Sequence, residues 1–257
     1  MNSFSKNIII TGASGLLGKA CTEYALEDSF NVFLVDKFFD MEYILSLKNK
    51  FPSLKIIAHK CDITCVSSIR EFIDFAFDSL PIIEYFVHCA YPRSSGWGRD
   101  HVELREDDLK YDLFAQLGVP ILLTKFLIEA FIDRSLNGNI VFLSSIQGIA
   151  APKFDHYDDT DMSSPIEYSA MKAGIISITK WLAKRYGKRN IRFNCISPGG
   201  VFASQPQSFV SKYRSSCLTI GLLDQSHIVP TIFFLLDPVK SAAINGQNII
   251  IDDGWSL

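Results

Sequence analysis

The chain has 257 residues, of which 48% are hydrophobic and 21% charged, and its formal net charge is −3. This length allows one sizeable core, and the weakly acidic balance excludes a strong electrostatic attraction to nucleic acid or to an anionic membrane. No run approaches the ~20 apolar residues of a membrane span, and the short apolar start predicts no secretory signal peptide. We expect a cytoplasmic protein.

Six cysteines are present, and no pair has the C-x-x-C spacing common in metal and redox sites. Cys61 and Cys65 lie near His59, but no second pair of candidate ligands follows at a spacing typical of zinc sites. Reduced, mostly buried thiols fit the cytoplasm, and we expect no bound metal.

Apolar runs alternate with amphipathic stretches along the whole chain. We predict strands at 7–10, 31–36, 55–62, 85–90, 139–145, 191–198 and 247–252, and helices at 16–28, 41–50, 66–79, 106–133 and 165–187. Pro120 lies inside the longest of these helices, where a proline can introduce a kink.

The predicted strands are apolar at nearly every position, which is typical of a parallel sheet covered by helices on both faces. We therefore predict an α/β protein with a Rossmann-type doubly wound parallel sheet, in three αβα layers and a single domain, 1–257. Residues 201–226 are polar and less periodic. They predict a flexible substrate segment beside the C-terminal ends of the strands, where such folds bind ligands.

A glycine-rich turn, TGASGLLG (11–18), follows the first strand and begins the first helix. Glycines at this place let the backbone approach a pyrophosphate, and the helix N-terminus stabilises the anion. We expect the cofactor contacts to include Gly12, Ser14, Gly15 and Leu17, with the Ser14 hydroxyl donating to phosphate.

Acidic residues end the second and third strands. Asp36 stands where a carboxylate meets the ribose hydroxyls of a dinucleotide, and it repels a 2′-phosphate, so it favours NAD. The neighbouring Lys37 would tolerate that phosphate, so NADP stays open. Asp62 and Ile63 are expected beside the adenine.

Tyr168 and Lys172 stand four residues apart in YSAMK and share one face if this segment is helical. An ammonium ~4 Å from the phenol contributes about 4 kcal/mol at an effective dielectric near 20, which lowers the tyrosine pKa from ~10. Burial acts in the opposite direction. A phenol tuned in this way can exchange a proton with a reacting carbonyl or hydroxyl.

These motifs, in this order, resemble the short-chain dehydrogenase/reductase family over nearly the whole chain. TGASGLLG resembles the cofactor glycine motif, SSIQG (144–148) the segment with the catalytic serine, and YSAMK the tyrosine and lysine. NCISPGG (194–200) resembles the loop that closes on the nicotinamide, and GQNIIIDDG (246–254) the last strand.

The resemblance implies an NAD(P)-dependent oxidoreductase that transfers hydride between nicotinamide and a secondary alcohol or ketone. Tyr168 would be the general acid or base, Ser145 would hydrogen-bond the substrate oxygen, and Lys172 would bind the nicotinamide ribose. The residues implied against the cofactor also include Ala90, Pro198, Gly200 and Val201. The implied partners are a small-molecule substrate and further copies of the chain, in a homodimer or homotetramer.

Three departures from the family lie in short motifs. The glycine spacing T-G-x-x-G-x-x-G is usual in the extended, sugar-nucleotide branch, whereas the PGG loop and the final DDG fit the single-domain branch. HCAY (88–91) replaces the usual Asn-Asn-Ala-Gly, and we interpret His88 as a strand residue. Gln116 stands where the family often has a catalytic asparagine, and we interpret it as holding the same proton-relay water.

The fourth departure is an inserted loop, residues 151–164, between the serine and the tyrosine. The loop fits either a solvated acidic loop or a polar lid over the substrate, in which aromatic and carboxylate groups together contact sugar hydroxyls and C–H faces. Its residues of these kinds are Asp155, His156, Tyr157, Asp158, Asp159 and Asp161. The run SPIEYSAMKAG resembles a subset of the family that acts in bacterial surface-sugar and flagellin modification. A sugar or sugar nucleotide is therefore the candidate substrate.

Two other functions stay open. The glycine spacing fits a sugar-nucleotide epimerase or dehydratase with tightly held NAD. Gln116 and HCAY fit a sensor or scaffold that binds a dinucleotide without catalysis. The presence of both Tyr168 and Lys172 favours the oxidoreductase.

Overall fold

Seven parallel strands form one sheet in the order β3-β2-β1-β4-β5-β6-β7 in the computed structural model, which describes residues 6–257. The strands are β1 (Lys6–Thr11), β2 (Phe30–Asp36), β3 (Ile56–Lys60), β4 (Tyr85–His88), β5 (Gly138–Leu143), β6 (Ile191–Pro198) and β7 (Asn248–Ile251). The strand order reverses between β1 and β4, and ligands bind at such a switch point. The predicted doubly wound sheet is confirmed.

Helices cover both faces of this sheet. They are α1 (Leu16–Glu27), α2 (Met41–Lys50), α3 (Val66–Ser79), α4 (Glu106–Leu113), α5 (Val119–Asp133), α6 (Ile166–Tyr186), α7 (Gln207–Ser215) and α8 (Val229–Leu236). A π-helical turn, Phe114–Gly118, joins α4 and α5 into one continuous helix. Pro120 comes two residues after this π turn, so the irregularity that a proline introduces in a helix interior takes the form of the π turn.

The central strands bury side chains on both faces, because successive residues of a strand point to opposite sides. Ile9, Phe86 and Phe142 face one core, which α3, α5 and α6 cover. Ile8, Ile10 and the other alternate residues face a second core, which α1, α2 and α8 cover. This arrangement explains why the strands are apolar at consecutive positions.

The structure differs from the sequence prediction in the last third of the chain. Residues 207–215 lie inside the segment predicted to be flexible, yet they form α7, which buries Phe209 and Tyr213. Helix α8 was not predicted at all. Its eight residues, VPTIFFLL, are almost all apolar and show no amphipathic period that would separate a helix from a strand.

The 201–226 segment is also tied to the end of the chain. Asp253 has a left-handed backbone, with a φ of 54°. Its carboxylate accepts hydrogen bonds from the N–H groups of Thr219 at 2.9 Å and Gly221 at 2.8 Å, and from that of Ile220. The segment therefore has a fixed anchor beside the sheet.

One helix in the described part of the chain, Glu106–Asp133, is long and apolar enough to cross a membrane by length and composition alone, with a mean hydropathy of 1.6 over 18 residues. The expectation that no segment is so apolar is corrected here. Within the fold 61% of that window is buried, α5 packs on α3, and α4 packs on α6. These contacts are those of a core helix.

Candidate active site

A cleft of about 960 Å³ opens at the C-terminal ends of the strands, beside the switch point. It brings together nearly all of the residues that the sequence predicted for the site. These are Gly12, Ser14, Gly15, Leu17, Asp36, Asp62, Ile63, Ala90, Ser145, Tyr168, Lys172, Pro198, Gly200 and Val201. Gln116 does not line this cleft.

The glycine turn has no side chains that would keep a ligand away from its backbone. Gly12 has a φ of +69°, and a Cβ there would lie 2.5 Å from backbone atoms of Ala90. Gly15 begins α1, and no side chain caps the N–H groups of the first turn. Unpaired donors at a helix N-terminus suit a phosphate, so these residues fit a dinucleotide.

The end of β2 presents a carboxylate to the same cleft. Asp36 Oδ2 accepts a hydrogen bond from the Ser14 N–H at 2.9 Å, and Oδ1 accepts one from the Phe38 N–H at 3.3 Å. The Ser14 hydroxyl donates to the Phe38 carbonyl at 2.5 Å. Its proton is therefore not free for the phosphate contact that we expected from the sequence.

Lys37, which kept NADP open in the sequence analysis, is paired in the structure. Its Nζ lies 3.0 Å from Asp62 Oδ2, and both side chains are exposed enough for solvent to screen the pair. The Asp62 carboxylate also accepts from the N–H and the hydroxyl of Thr64. These contacts lower the pKa of Asp62 against the effect of burial, which raises it.

Ser145, Tyr168 and Lys172 meet at the other end of the cleft. Ser145 follows β5, and Tyr168 and Lys172 lie one turn apart on α6, so the predicted helical spacing is confirmed. Ser145 lies close enough to Tyr168 for its hydroxyl to lower the pKa of the phenol, against the effect of burial. The Lys172 Nζ donates to the Leu143 carbonyl at 2.9 Å and lies 5.4 Å from the centre of the Tyr168 ring.

Burial dominates the proton affinities of this group. It raises the pKa of Tyr168, and the Ser145 hydroxyl acts in the opposite direction. Burial also lowers the pKa of Lys172 to about 8. The lowering of the tyrosine pKa that the sequence suggested is therefore not seen in the chain by itself, where burial of the phenol has the largest effect.

Gln116 is placed differently from the prediction. It lies in the π turn, only 5% exposed, and its Nε2 donates to the Pro92 carbonyl at 2.9 Å. Its Oε1 is buried and has no hydrogen-bond partner within residues 6–257. The side chain thus contacts the loop after β4 and does not reach the cleft.

The inserted loop lines the substrate end of the cleft with aromatic groups, while its four carboxylates are exposed to solvent. The Gln147 Nε2 donates to the Tyr157 hydroxyl at 3.2 Å, and the Ser164 hydroxyl donates to Gln147 Oε1 at 2.6 Å. His156 is buried, and its Nε2 is 2.9 Å from the Ser216 hydroxyl. The inserted loop therefore presents aromatic residues to the cleft.

Several lining residues were not predicted from the sequence: Gln147, Met162, Phe209, Tyr213 and Trp255. His156 and Tyr157, two aromatic residues of the inserted loop, line the cleft as well. Tyr213 accepts a hydrogen bond from the Gly200 N–H at 2.6 Å, so α7 supports the PGG loop directly. The concentration of aromatic residues in two segments next to the motifs was the only signal that could have indicated them. No group of three metal-ligating side chains occurs between residues 6 and 257.

A family model described as enoyl-(acyl carrier protein) reductase matches residues 12–256. This match covers the glycine turn, the serine, the tyrosine and lysine, and the PGG loop. The chain belongs to the short-chain dehydrogenase/reductase family. The resemblance that the motifs indicated is confirmed, and with it membership in a family of NAD(P)-dependent oxidoreductases.

The chain is similar to proteins with several different names. The chain is 37% identical to post-translational flagellin modification protein A of Campylobacter coli, over 98% of this chain and 99% of that protein. It is 26% identical to a 7alpha-hydroxysteroid dehydrogenase of Bacteroides fragilis, over 100% and 97%. A short-chain dehydrogenase of Leptospira borgpetersenii, solved with bound NAD+, superimposes with a TM-score of 0.87, 27% identity and coverage of 98% and 93%.

Proposed function

We propose that this protein is an NAD(H)-dependent oxidoreductase that interconverts a secondary alcohol and a ketone. The observation that carries the proposal is the meeting of Ser145, Tyr168 and Lys172 in one cleft with the glycine turn. Such a cleft supplies an anion-binding helix end and a proton-transferring phenol side by side.

The cofactor would lie along the cleft from the glycine turn to the PGG loop. Gly12 and Gly15 admit its pyrophosphate, Asp36 holds the adenosine ribose, and Asp62 and Ile63 flank the adenine. Ala90, Pro198, Gly200 and Val201 face the nicotinamide half. When bound, the nicotinamide supplies or accepts hydride at the substrate carbon.

Asp36 supports NAD(H) as the preferred form. Its carboxylate is held in place by two backbone N–H groups, and Lys37, which follows β2, is paired with Asp62. Lys60, the register partner of Asp36 on β3, has its Nζ 5.6 Å from the centre of the Phe38 ring. A 2′-phosphate would meet the fixed negative charge of Asp36. A neighbouring solved dehydrogenase with bound NAD+ is consistent with this preference.

The chain's own groups would handle the proton. Tyr168 gives its phenolic proton to the substrate oxygen in reduction and takes it back in oxidation. Ser145, which lines the cleft beside the phenol, donates to the same oxygen. Lys172 holds the ribose and keeps a positive charge near the phenol below its pKa of about 8.

The substrate end of the cleft suits a ring that carries hydroxyl groups. Its walls are aromatic faces that also present hydroxyl donors, on Tyr91, Tyr157 and Tyr213. Aromatic residues with a polar end contact both the apolar face and the polar edge of such a ring. The similarity to a flagellin modification protein supports a sugar or sugar nucleotide as the substrate.

Replacement of Tyr168 by phenylalanine tests the proposal. We expect turnover to fall by roughly 10²–10⁴, because the proton donor is lost, while NADH binding stays unchanged. Activity is measured as the change in reduced nicotinamide with a panel of nucleotide-activated sugars, hydroxysteroids and 3-oxoacyl thioesters. Binding is measured by calorimetry.

Tyr186 lies on the same helix, outside the cleft, and Tyr186→Phe is the matched control. Full turnover by Tyr168→Phe on the accepted substrate would contradict the proposal. An epimerase or dehydratase would convert the substrate without net change in reduced nicotinamide. A sensor or scaffold would bind NADH and give no turnover on any substrate in either direction.

A further inference from the structure

The loop between β4 and α4 carries two aromatic residues onto the proposed general acid. The Tyr91 ring centre lies 5.8 Å from that of Tyr168, and the Trp97 ring centre lies 5.9 Å from it. Both contacts are edge-to-face, at 77° and 85°, and the two loop rings also contact each other at 5.5 Å. Tyr91 lines the cleft, whereas Trp97 does not.

This loop has little regular structure of its own. No helix or strand occurs from residue 89 to residue 100. The backbone hydrogen bonds from Trp97 to Ser94 and from Arg99 to Gly96 are both long, at 3.4 Å. The position of the two rings therefore depends on contacts that the loop makes elsewhere.

One such contact comes from the inserted loop, where the Ser163 hydroxyl donates to the Gly98 carbonyl, and further contacts come from one face of the helix that follows. The Asp112 carboxylate is fully buried and accepts two hydrogen bonds from Ser94, from its N–H and from its hydroxyl, both at 2.7 Å. One turn later Gln116 donates to the Pro92 carbonyl at 2.9 Å. Side chains four residues apart share a helix face, so both bonds act on the same side of the loop.

The same face continues one turn earlier. Asp108 lies under Gly96, where a Cβ would come within 2.1 Å of its Oδ2, so only glycine allows the loop to approach this closely. Arg99 and Arg105 lie 3.9 and 3.8 Å from that oxygen. Three helix residues at a spacing of four thus contact successive parts of one loop.

We infer that Asp112 and Gln116 act as a clamp that positions the loop 91–97, so that Tyr91 and Trp97 hold the Tyr168 ring in its reactive orientation. This inference rests on the proposed function of Tyr168. It replaces the role predicted for Gln116, because that side chain contacts the loop and not the cleft. Both clamp residues act on the reaction through the loop and are positioning residues.

Three variants test the clamp. Gln116→Leu removes the donor to Pro92, Ser94→Ala removes one of the two bonds to Asp112, and Gln116→Asn shortens the side chain by one methylene. Misplacement of a reacting group by about 1 Å can cost ~100-fold in rate, so we expect each variant to lower kcat about tenfold or more. The KM for NAD+ should change less than twofold, because the glycine turn and Asp36 lie elsewhere.

A second measurement does not need the substrate. In a Trp181→Phe, Trp255→Phe background, Trp97 is the only tryptophan of the chain. Acrylamide should quench its fluorescence more strongly once Gln116→Leu or Ser94→Ala releases the loop. Thr124→Val is the matched control, since it removes a buried hydrogen bond to Ile121 within the same long helix and touches no loop.

The outcomes separate the possibilities. A relay role for Gln116 predicts full kcat in Gln116→Asn and in Ser94→Ala, and this result would overturn the clamp. Unchanged kcat and quenching in Gln116→Leu and Ser94→Ala would also overturn it, as would an equal loss in Thr124→Val. If Tyr168→Phe keeps its turnover, the proposed function fails instead, and the Trp97 quenching still decides whether the clamp exists.

Discussion

His88 shows how a single substitution in a family motif changes the behaviour of the protein. It lies on β4, as the sequence predicted, with its Nδ1 2.7 Å from the Thr11 hydroxyl. Burial, reinforced by Lys172, lowers its pKa to about 3. The imidazole therefore stays neutral in the folded chain at every pH at which the protein is expected to work.

The depressed pKa predicts acid sensitivity. The unfolded chain binds the histidine proton below pH ~6.5 and the folded chain does not, so the stability that neutral His88 provides is lost as pH falls from about 6.5 towards 3. His88→Asn removes this pH-dependent contribution to the free energy of unfolding. Between pH 7.5 and 5 we expect the unmodified chain to lose about 2 kcal/mol more than the variant, from urea unfolding at both values.

The exposed His101 gives the control for that comparison, because His101→Asn should leave the pH dependence unchanged. Equal losses in His88→Asn and in the unmodified chain would show that the imidazole is not the group responsible.

Asp36 gives a second prediction at this scale. Asp36→Ala removes the fixed charge that opposes a 2′-phosphate, so kcat/KM for NADP+ should rise and that for NAD+ should fall, each by about tenfold, or ~1.4 kcal/mol. Asp62→Asn in addition should free Lys37 and raise use of NADP+ further. Asp78→Ala, on the exposed side of α3, is the control, and an unchanged cofactor ratio in Asp36→Ala would contradict this assignment.

At the scale of elements, the inserted loop exposes its carboxylates to solvent and turns His156 and Tyr157 to the cleft. Its carboxylates point to solvent, and Asp159 pairs only weakly with Lys212, at 3.5 Å. The Tyr157 hydroxyl accepts from Gln147 and keeps its own hydrogen for a ligand. We therefore expect this loop to contact the substrate through its aromatic residues.

A pair of variants checks this division. Replacement of all four aspartates, 155, 158, 159 and 161, by asparagine should leave kcat/KM within about twofold, since surface pairs contribute little. Tyr157→Phe should raise the substrate KM about fivefold, because it removes one hydrogen bond worth ~1 kcal/mol. The reverse pattern in steady-state kinetics would support the carboxylates as the contacts.

The elements differ in how well the sequence predicted them. The central strands were predicted because both of their faces are buried, which makes the apolar signal continuous. Helix α7 was missed because only Phe209 and Tyr213 of its nine residues are buried. The contact of Gln116 with Pro92 could not be predicted, because Pro92 lies 24 residues earlier and no local spacing indicates such a contact.

At the scale of the whole molecule, the order of the motifs predicted the site better than any motif alone. A parallel sheet brings the ends of β1, β2, β5 and β6 to one edge, so residues distant in sequence had to meet there. The aromatic lining could not be derived in the same way. It comes from α7 and the inserted loop, which no repeating pattern connects to the sheet.

The assembly stays a prediction. Apolar side chains on the long helix remain open to solvent in the single chain, with Phe114 39% and Ile121 47% exposed. We expect a homodimer or homotetramer, and light scattering should give two or four times the 28.9 kDa of the chain. Phe114→Glu with Ile121→Glu should lower that mass, and a monomer at every concentration would contradict the prediction.

The anchor at Asp253 has a consequence for attempts to exchange specificity between relatives. Residues 219–221 depend on a carboxylate that stands more than 30 residues later in the chain. Suppose that a chimera takes residues 201–226 from a relative and keeps the C-terminal turn of this chain. The N–H groups of the new segment would then face a carboxylate at residue 253 that is not positioned for them. The unit that can be transplanted is therefore discontinuous, and it must carry the turn after β7 together with the substrate segment.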